Sequence, residues 1–247
     1  MNQSFYMGAT AAQQQNLRMS IQGNNIANVN THGFKGEKGR FQALMYDRIR
    51  AAEGDLPIGT GGALMMSSTD YTPGAAASTG RTLDFMIEGD GFFGLVDLRT
   101  NEISLTRSGA FTKAQLKYPG EEVDQYGMPV MEDRWYLSDG EGRFVLSSAG
   151  GMIEVKDSEE ALPVGIFDYI NYDGMRHLND TRFLPVDKNG GLRMGSGTLR
   201  QGMLELSNVD LAEEITKVIE SQRAYQMALK LVQTSDEIET TINGLRN

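Results

Sequence analysis

The sequence predicts an α+β fold in which long helices at both chain ends pair as a coiled-coil-like inner domain, with an all-β outer domain inserted between them. Three observations lead to this prediction. Residues 1–28 contain no proline and place apolar or small side chains at helical spacing. Residues 81–206 consist of short β-patterned runs separated by turn residues, which is typical of an antiparallel sandwich or barrel-like domain. Residues 207–247 return to a helical, heptad-like pattern.

The first predicted helix, residues 1–28, is weakly amphipathic and nearly uncharged, so it is marginal alone in water and needs a partner. Asn2 or Ser4 could cap its first turn. The Asn-rich stretch 28–30 is placed to end it, because Asn tolerates left-handed backbone. Gly33 then allows a sharp turn, and Phe34 would anchor the exiting chain in a core.

Residues 29–80 form a predicted linking segment or small connecting domain, and Glu53 to Gly80 is expected to be an extended, unpacked connection. In the outer domain, Leu83–Glu88 alternates as a half-buried strand does. The other candidate strands are Phe92–Leu98, Ile103–Arg107, Met128–Met131, Trp135–Leu137, Arg143–Leu146, Met152–Lys156 and Val164–Tyr169. The segment 117–124 leaves the strand register there uncertain.

The second predicted helix spans about 208–245, with Ser207 or Asn208 as its cap and Asp210, Glu213 and Glu214 in its first turn. At roughly 35 residues it would be ~50 Å long. The alternative is that it packs on its own β domain. Its pairing with the first helix could be parallel or antiparallel. The predicted apolar seam consists of Leu211, Ile215, Val218, Tyr225, Leu229 and Val232, continued by Ile238, Ile242 and Leu245.

The composition excludes several functions. The formal charge of −10 and the pI of about 4.8 disfavour binding to nucleic acid or anionic membrane surfaces. The absence of cysteine excludes disulfides and zinc–thiolate sites. No apolar run reaches the ~20 residues that span a bilayer, and the N-terminus does not read as a cleaved signal peptide. We expect no cofactor, no metal site and no membrane insertion.

An enzymatic function finds little support. His32 and His177 lie outside any metal-ligand spacing. Adjacent carboxylates such as 121–122, 159–160 and 213–214 point apart on a helix or strand, so they are not acid/base pairs. We therefore expect no catalytic residues. A peptidoglycan hydrolase would need two carboxylates across a cleft, ~5–10 Å apart. That hydrolase and a secreted binding module remain the alternatives from other functional classes.

Four segments carry distinctive motifs: residues 24–35 (NNIANVNTHGFK), 87–93 (IEGDGFF), 105–111 (LTRSGAF) and 202–211 running on to 222–226 (GMLELSNVDL and QRAYQ). These segments resemble the signatures of flagellar basal-body rod and hook proteins. Together they extend the resemblance over essentially the whole chain. One departure is Ala228, which stands where relatives commonly carry Asn.

The resemblance implies which residues carry family motifs and act in assembly. They are Asn24, Asn25, Ala27, Asn28, Asn30, Thr31, Gly33, Phe34, Lys35, Gly89, Gly91, Phe92, Phe93, Thr106, Arg107, Gly109, Phe111, Ser207, Asn208, Val209, Gln222, Arg223, Ala224 and Tyr225. Residues 1–28 and 207–247 would be the polymerisation helices, and 81–206 the exterior.

The resemblance also implies a function, a location and a set of partners. The chain would be exported through the flagellar export apparatus and would lie outside the cytoplasmic membrane. It would polymerise with itself into a helical tube that transmits torque and encloses the export channel. Neighbouring rod and hook proteins would be further partners, as could the surrounding basal-body rings. The segment after Tyr46 favours the distal-rod type, with the proximal-rod and hook types as alternatives.

Overall fold

The computed structural model describes residues 3–43, 47–51, 54–58, 62–123, 129–156, 162–179 and 181–245. One helix lies near each end of the chain, and the strands between them pair antiparallel, so the α+β prediction is confirmed. The helices are α1, Gln3–Ala27, and α2, Leu211–Leu245. The strands are β1 Glu37–Ala43, β2 Asp47–Ala51, β3 Gly54–Ile58, β4 Gly62–Thr69, β5 Ala76–Ser78, β6 Phe85–Glu88, β7 Phe92–Asp97, β8 Glu102–Thr106, β9 Thr112–Val123, β10 Pro129–Ser138, β11 Phe144–Val145, β12 Ile166–Asp168, β13 Arg176–Asn179, β14 Arg182–Leu184, β15 Arg193–Met194, β16 Thr198–Gln201 and β17 Met203–Glu205.

The chain forms two compact units. The terminal unit contains Met1–Val29, Gly36–Asp70 and Val209–Asn247, so it includes both helices. The central unit contains Asn30–Lys35 and Tyr71–Asn208.

The two helices of the terminal unit pack against each other in antiparallel orientation. Gly8, early in α1, lies beside Ala228 in the second half of α2. Asn25, late in α1, is hydrogen-bonded to Glu214 near the start of α2. Of the two orientations that the sequence left open, the structure has the antiparallel one.

The seam between the helices differs from the predicted one. The buried residues of α2 recur every seven positions, as in a coiled coil, but they are small or polar: Glu214, Ser221, Ala228 and Ser235. Small side chains let the helix backbones approach closely. The predicted seam was wrong at Leu211, Ile215 and Leu229, which are exposed. The predicted seam residues Val218, Tyr225 and Val232 are half-buried, and Val232 lies close to Gly8 of α1. Ala228 lies in the seam rather than on a free helix surface.

The helix ends also depart from prediction. Asp210, not Ser207 or Asn208, caps α2: its Oδ1 accepts hydrogen bonds from the backbone N–H groups of Ala212 at 2.8 Å and Glu213 at 3.3 Å. Asn208 instead donates to the carbonyl of Thr72 in the central unit.

At the start of α1, Ser4 lies inside the helix, and Asn2 lies outside the described residues. At its end, the expected left-handed asparagines are absent, because Asn101 is the only described non-glycine residue with positive φ. Gly33 takes that conformation instead, with φ of +70°.

The described parts of residues 36–70 form paired strands, which corrects the prediction of an unpacked connection from Glu53 to Gly80; Glu53 itself lies outside the described residues. β1 pairs with β4, and β2 pairs with β3. Further along the same stretch, β5 pairs with β17 of the central unit. The small and polar composition of this stretch favoured the prediction of an unpaired connection. Such residues can still form two-stranded ribbons when a partner strand supplies the backbone hydrogen bonds.

Within the described residues, the central unit is built on a nine-stranded sheet in the order β13-β14-β8-β7-β11-β10-β9, with β12 on β7 and β15 on β12. Strand β7 is buried on both faces. Phe93 and Leu95 face one apolar cluster, whereas Phe92 and Val96 face another. Gly94 lies between Phe92 and Val96, and a Cβ there would come within 2.8 Å of the Phe167 ring.

Most predicted strands are present with shifted limits. Met131 and 135–137 belong to one long strand, β10, and Met128 lies outside the described residues. The segment 152–156 makes only isolated bridges, Leu146 with Met152 and Tyr136 with Glu154. The alternation predicted for Leu83–Glu88 is wrong at two positions, because Asp84 and Met86 are buried as well.

Asp168 anchors the β12–β15 corner of the central unit. Its carboxylate accepts hydrogen bonds from the Tyr172 hydroxyl at 2.5 Å and from Arg193 Nε at 2.9 Å. Burial alone would raise the pKa of Asp168, but the hydrogen bonds from Tyr172 and Arg193 outweigh it and lower the pKa. Burial together with the bond to Asp168 raises the pKa of Tyr172.

The close approach of the helices at Gly8 gives a testable consequence. A Cβ at Gly8 would lie 2.8 Å from Val232 Cγ2 and 3.2 Å from the Ala228 carbonyl oxygen. We expect Gly8→Leu to destabilise the helix pair by about 1–3 kcal/mol through overpacking. Helix content would be followed by circular dichroism during thermal unfolding. Gly23→Leu is the matched control, because a Cβ at Gly23 meets no atom within 4 Å. Equal stability of the two variants would contradict the observed seam.

The lowered pKa of Asp168 predicts a pH-dependent contribution to stability. A carboxyl with a depressed folded-state pKa stabilises above the unfolded pKa of about 3.9, and this contribution is lost as pH falls through the folded pKa. We expect Asp168→Asn to lower the free energy of unfolding by about 1–3 kcal/mol at pH 7. The difference from wild type should shrink below about pH 4. Urea unfolding across this range measures it, with exposed Asp133→Asn as control; a constant difference would refute the assignment.

Candidate functional site

A buried ion network lies where three of the sequence motifs meet in the central unit. Lys35 Nζ is 2.6 Å from Glu205 Oε1, and Arg107 Nη1 is 3.2 Å from Glu205 Oε2. All three side chains are at most 3% exposed. One carboxylate therefore holds two cations out of water, and removing it would leave both charges unneutralised.

Backbone groups satisfy most of the remaining polar atoms of this network. Lys35 Nζ also donates to the Thr72 carbonyl at 2.8 Å, and the Gly74 N–H donates to Glu205 Oε1 at 2.8 Å. Arg107 Nη2 donates to the Gly89 carbonyl at 2.6 Å. These bonds connect Lys35, where the chain enters the central unit, to Glu205, shortly before the chain leaves it.

Two motif glycines permit the close packing around the network. Gly33 has positive φ, and its N–H donates to the Glu205 carbonyl at 2.8 Å. A Cβ there would come within 2.3 Å of the backbone nitrogen of Ser108. At Gly109 a Cβ would lie 1.8 Å from the carbonyl oxygen of Phe85. Any other residue at either position would force the backbone apart.

A second motif cluster lies in the terminal unit. Asn25 is buried, and its amide both accepts from the Glu37 N–H and donates to the Glu37 carbonyl, each at 2.9 Å. The same amide nitrogen lies 3.3 Å from Glu214 Oε2. Asn25 thus fastens α1 to both β1 and α2. Asn28 donates back to Asn24, which closes the last turn of α1.

The other predicted residues divide by burial. In the central unit Phe34, Gly91, Phe92, Phe93, Thr106 and Phe111 are buried. The half-buried ones are Thr31, Ser207, Val209, Ala224 and Tyr225. Ala27, Asn30, Gln222 and Arg223 are exposed. The structure therefore brings some motif residues together as supports of the fold, and an assembly role for the set stays a prediction.

Sequence reasoning missed three residues of these clusters. The sequence showed Glu205 only as part of a motif and Glu214 only as part of a helix start, and it did not single out Gly8. Glu205 gave no signal, since a carboxylate between Leu204 and Leu206 has the alternation of a half-buried strand, which predicts an exposed carboxylate. Glu214 and Gly8 gave no signal, because their burial depends on which helix faces pair.

The described residues contain no group of three or more His, Cys, Asp or Glu side chains that could hold a metal. His177 packs edge-on against Phe183 at 4.6 Å between ring centroids. Glu213 and Glu214 both pair with Lys217. No helix in the described ranges is long and apolar enough to cross a bilayer.

Two protein-family models match the chain ends. The model described as "Flagella basal body rod protein" matches residues 5–35, and the model described as "Flagellar basal body rod FlgEFG protein C-terminal" matches residues 200–245. Lys35 and Glu205 fall within these matches, and Arg107 falls between them.

Similar proteins match over the full length. The flagellar basal-body rod protein FlgG of Buchnera aphidicola subsp. Acyrthosiphon pisum is 32% identical, over 98% of this chain and 99% of its own length. The protein of the same name from Bacillus subtilis is 30% identical, with 100% of both chains covered. The flagellar basal-body rod protein FlgF of Caulobacter vibrioides is 30% identical, over 96% of this chain and 95% of its own.

The ion network predicts a large cost for removing its central charge. We expect Glu205→Gln, which keeps shape but leaves Lys35 and Arg107 without a counter-charge, to destabilise the protein by about 3–5 kcal/mol. Glu88→Gln is the matched control, because Glu88 pairs with Arg200 and both side chains are more than half exposed. That change should stay within roughly 0.5 kcal/mol. Urea unfolding measures both, and similar losses would show that the network does not hold the fold.

Proposed function

Because the chain belongs to the flagellar basal-body rod protein family, we propose that it is a distal-rod subunit, which polymerises with itself into the tube that transmits torque and encloses the export channel. Its relatives named FlgG, the distal-rod subunit, match from end to end at about 30% identity. The family is structural, so the chain is not an enzyme.

The observation that carries this proposal is the distribution of apolar residues on the helix pair, which is the inverse of that in an ordinary coiled coil. The α1–α2 seam is made of small and polar residues, while large apolar residues face outward on both helices. Those more than a third exposed are Phe5, Tyr6 and Leu17 on α1, and Leu211, Ile215, Ile219, Met227, Leu229, Leu231, Ile238, Ile242 and Leu245 on α2. Exposed apolar surface on this scale is typical of interaction sites.

The seam itself gives the isolated pair little stability. The side-chain oxygens of Gln15, Gln22 and Ser221 are buried and make no hydrogen bond within the described part of the chain. Each such atom costs about 1–3 kcal/mol. Fully burying one outward Leu or Ile against a neighbour would contribute roughly 1.5–3 kcal/mol. Neighbouring copies therefore provide the stabilisation that the single helix pair lacks, and the assembled helices form the coiled-coil-like inner layer.

The central unit is suited to be the rigid exterior. Two apolar clusters on opposite faces of β7 support a sandwich-like layering. We assign four parts, with 1–28 and 207–247 as polymerisation helices, 29–80 as linking segment and 81–206 as outer domain. Of the linking segment, residues 36–70 belong to the compact unit of the helices, and residues 30–35 and 71–80 belong to the central unit. The motif residues named from the sequence support assembly by fixing these parts.

The family also indicates location and partners. We place the chain in the basal body outside the cytoplasmic membrane, reached through the flagellar export apparatus. Its further partners are the adjoining rod and hook proteins and the surrounding rings. The net charge of −10 favours solubility before assembly.

The second candidate is a proximal-rod subunit. It is kept because the FlgF relative is 30% identical over nearly the whole chain. The segment after Tyr46, where distal-rod members carry extra residues, contains the β2–β3 ribbon here. That ribbon supports the distal-rod assignment.

Polymerisation is the direct test. The full chain, concentrated alone or with its neighbouring rod protein, should form tubes visible by electron microscopy. A chain lacking residues 1–28 should not, because it has lost the partner of α2. Near-ultraviolet circular dichroism, reporting on Trp135 and the buried aromatic side chains, is the control for an intact central unit. Tubes from the truncated chain would contradict the role of α1, and no assembly by the full chain would overturn the proposed function.

A further inference from the structure

The exposed apolar side chains of α2 fall into two groups along the helix. The first flank, in the N-terminal part, consists of Leu211, Ile215, Ile219 and Leu229. The second flank, in the C-terminal part, consists of Met227, Leu231, Ile238 and Leu245. Ile242 is also exposed, but it continues the seven-residue repeat of the buried seam residues and belongs to neither flank. Each group by itself is a sizeable apolar surface, and all eight side chains are between 38% and 84% exposed.

The two flanks lie on opposite sides of the seam. At about 100° per residue, and taking buried Ser221 as the reference direction, the first flank lies about 80–160° round the helix in one sense. On the same basis, the second flank lies about 80–120° round in the other sense. The helix therefore presents one apolar surface on each side of its contact with α1.

Polar residues occupy the part of each side of α2 that its apolar flank does not cover. On the first-flank side, the C-terminal half of α2 carries exposed Gln233, Asp236 and Thr240. On the second-flank side, the N-terminal half carries exposed Glu213 and Glu220 and the Lys217 ammonium, which pairs with Glu213. The apolar surface thus changes sides near the middle of the helix, around residues 227–231.

We propose that the first flank of α2 in one copy packs on the second flank of α2 in the next copy, so that each helix contacts two copies. This inference rests on the proposed function and names the contact that propagates the tube. The flank centres are about 17 residues apart, or roughly 25 Å along the helix axis at 1.5 Å per residue. Pairing unlike flanks therefore displaces each copy axially relative to the one before.

Pairing like with like would not build a tube of this kind. A flank that binds its own counterpart relates two copies by a two-fold axis, which reverses one of them and closes a dimer. A rod has one direction, so its copies must all point the same way. Only a contact between different surfaces keeps that direction and does not close. The axial offset and the opposite sides of the two flanks match this requirement.

Cysteine cross-linking tests the contact, because the chain has no cysteine of its own. First-flank variants are Ile215→Cys and Ile219→Cys, and second-flank variants are Leu231→Cys and Ile238→Cys. Each is made in the full chain, checked by circular dichroism, and oxidised under conditions in which the unsubstituted chain polymerises. Glu220→Cys and Thr240→Cys are matched controls. Both residues are exposed on α2, Glu220 on the polar side of its N-terminal half and Thr240 on the polar side of its C-terminal half.

The expected pattern is specific to unlike pairing. Each variant alone stays monomeric on a non-reducing gel, and a mixture of one first-flank and one second-flank variant gives dimers. A chain carrying both substitutions gives a ladder. The yield should exceed that of the control pair by about ten-fold, since a disulfide requires Cα atoms within about 7 Å.

Two results would overturn the inference while leaving the proposed function standing. Dimers from a single variant alone would mean that the flank binds its own counterpart. Cross-linking no greater than in the control pair, in every combination, would mean that the flanks do not meet although the chain polymerises. If the unsubstituted chain formed no polymer, alone or with its neighbouring rod protein, the proposed function would fail and this inference with it.

Discussion

The carboxylate of Glu205 is the constraint on which the central unit depends. It lies between two buried cations, Lys35 and Arg107, that come from distant parts of the sequence. A buried charge is costly unless it is paired, so none of the three can be ordered without the others. The network therefore fastens residues 33–35, where the chain enters this unit, to strand β17, shortly before it leaves. The glycines of the same motifs are explained by this packing, since Gly33 and Gly109 admit no side chain.

The terminal unit follows a different physical rule. Its helices meet through small and polar residues, and the large apolar residues are left on the outside. In a monomeric protein this arrangement would be a liability, because exposed apolar surface favours association. In the proposed rod subunit the same surface supplies the contacts between copies. On this proposal, stability is divided between a central unit with its own apolar clusters and a helix pair that neighbouring copies complete.

Much of the fold followed from local patterns. Helix α1 and helix α2 were predicted to within a few residues, because helical spacing over 25 and 35 residues is a strong signal. Single strands were harder. Asp84 broke the expected alternation because it is buried, and segment 152–156 makes bridges rather than a strand. Local composition does not reveal which face a neighbouring strand or cluster will cover.

The sequence by itself determined the order of elements, the helical ends and the family, since periodicity and motif identity are properties of the chain read locally. Tertiary structure alone decided which helix faces pair, what the motifs contact and where apolar surface remains exposed. A heptad pattern marks candidate seams but does not choose among them. The choice of Ser221 and Ala228 over Ile215 and Leu229 depends on how closely α1 approaches at Gly8, and that distance is a property of two helices together.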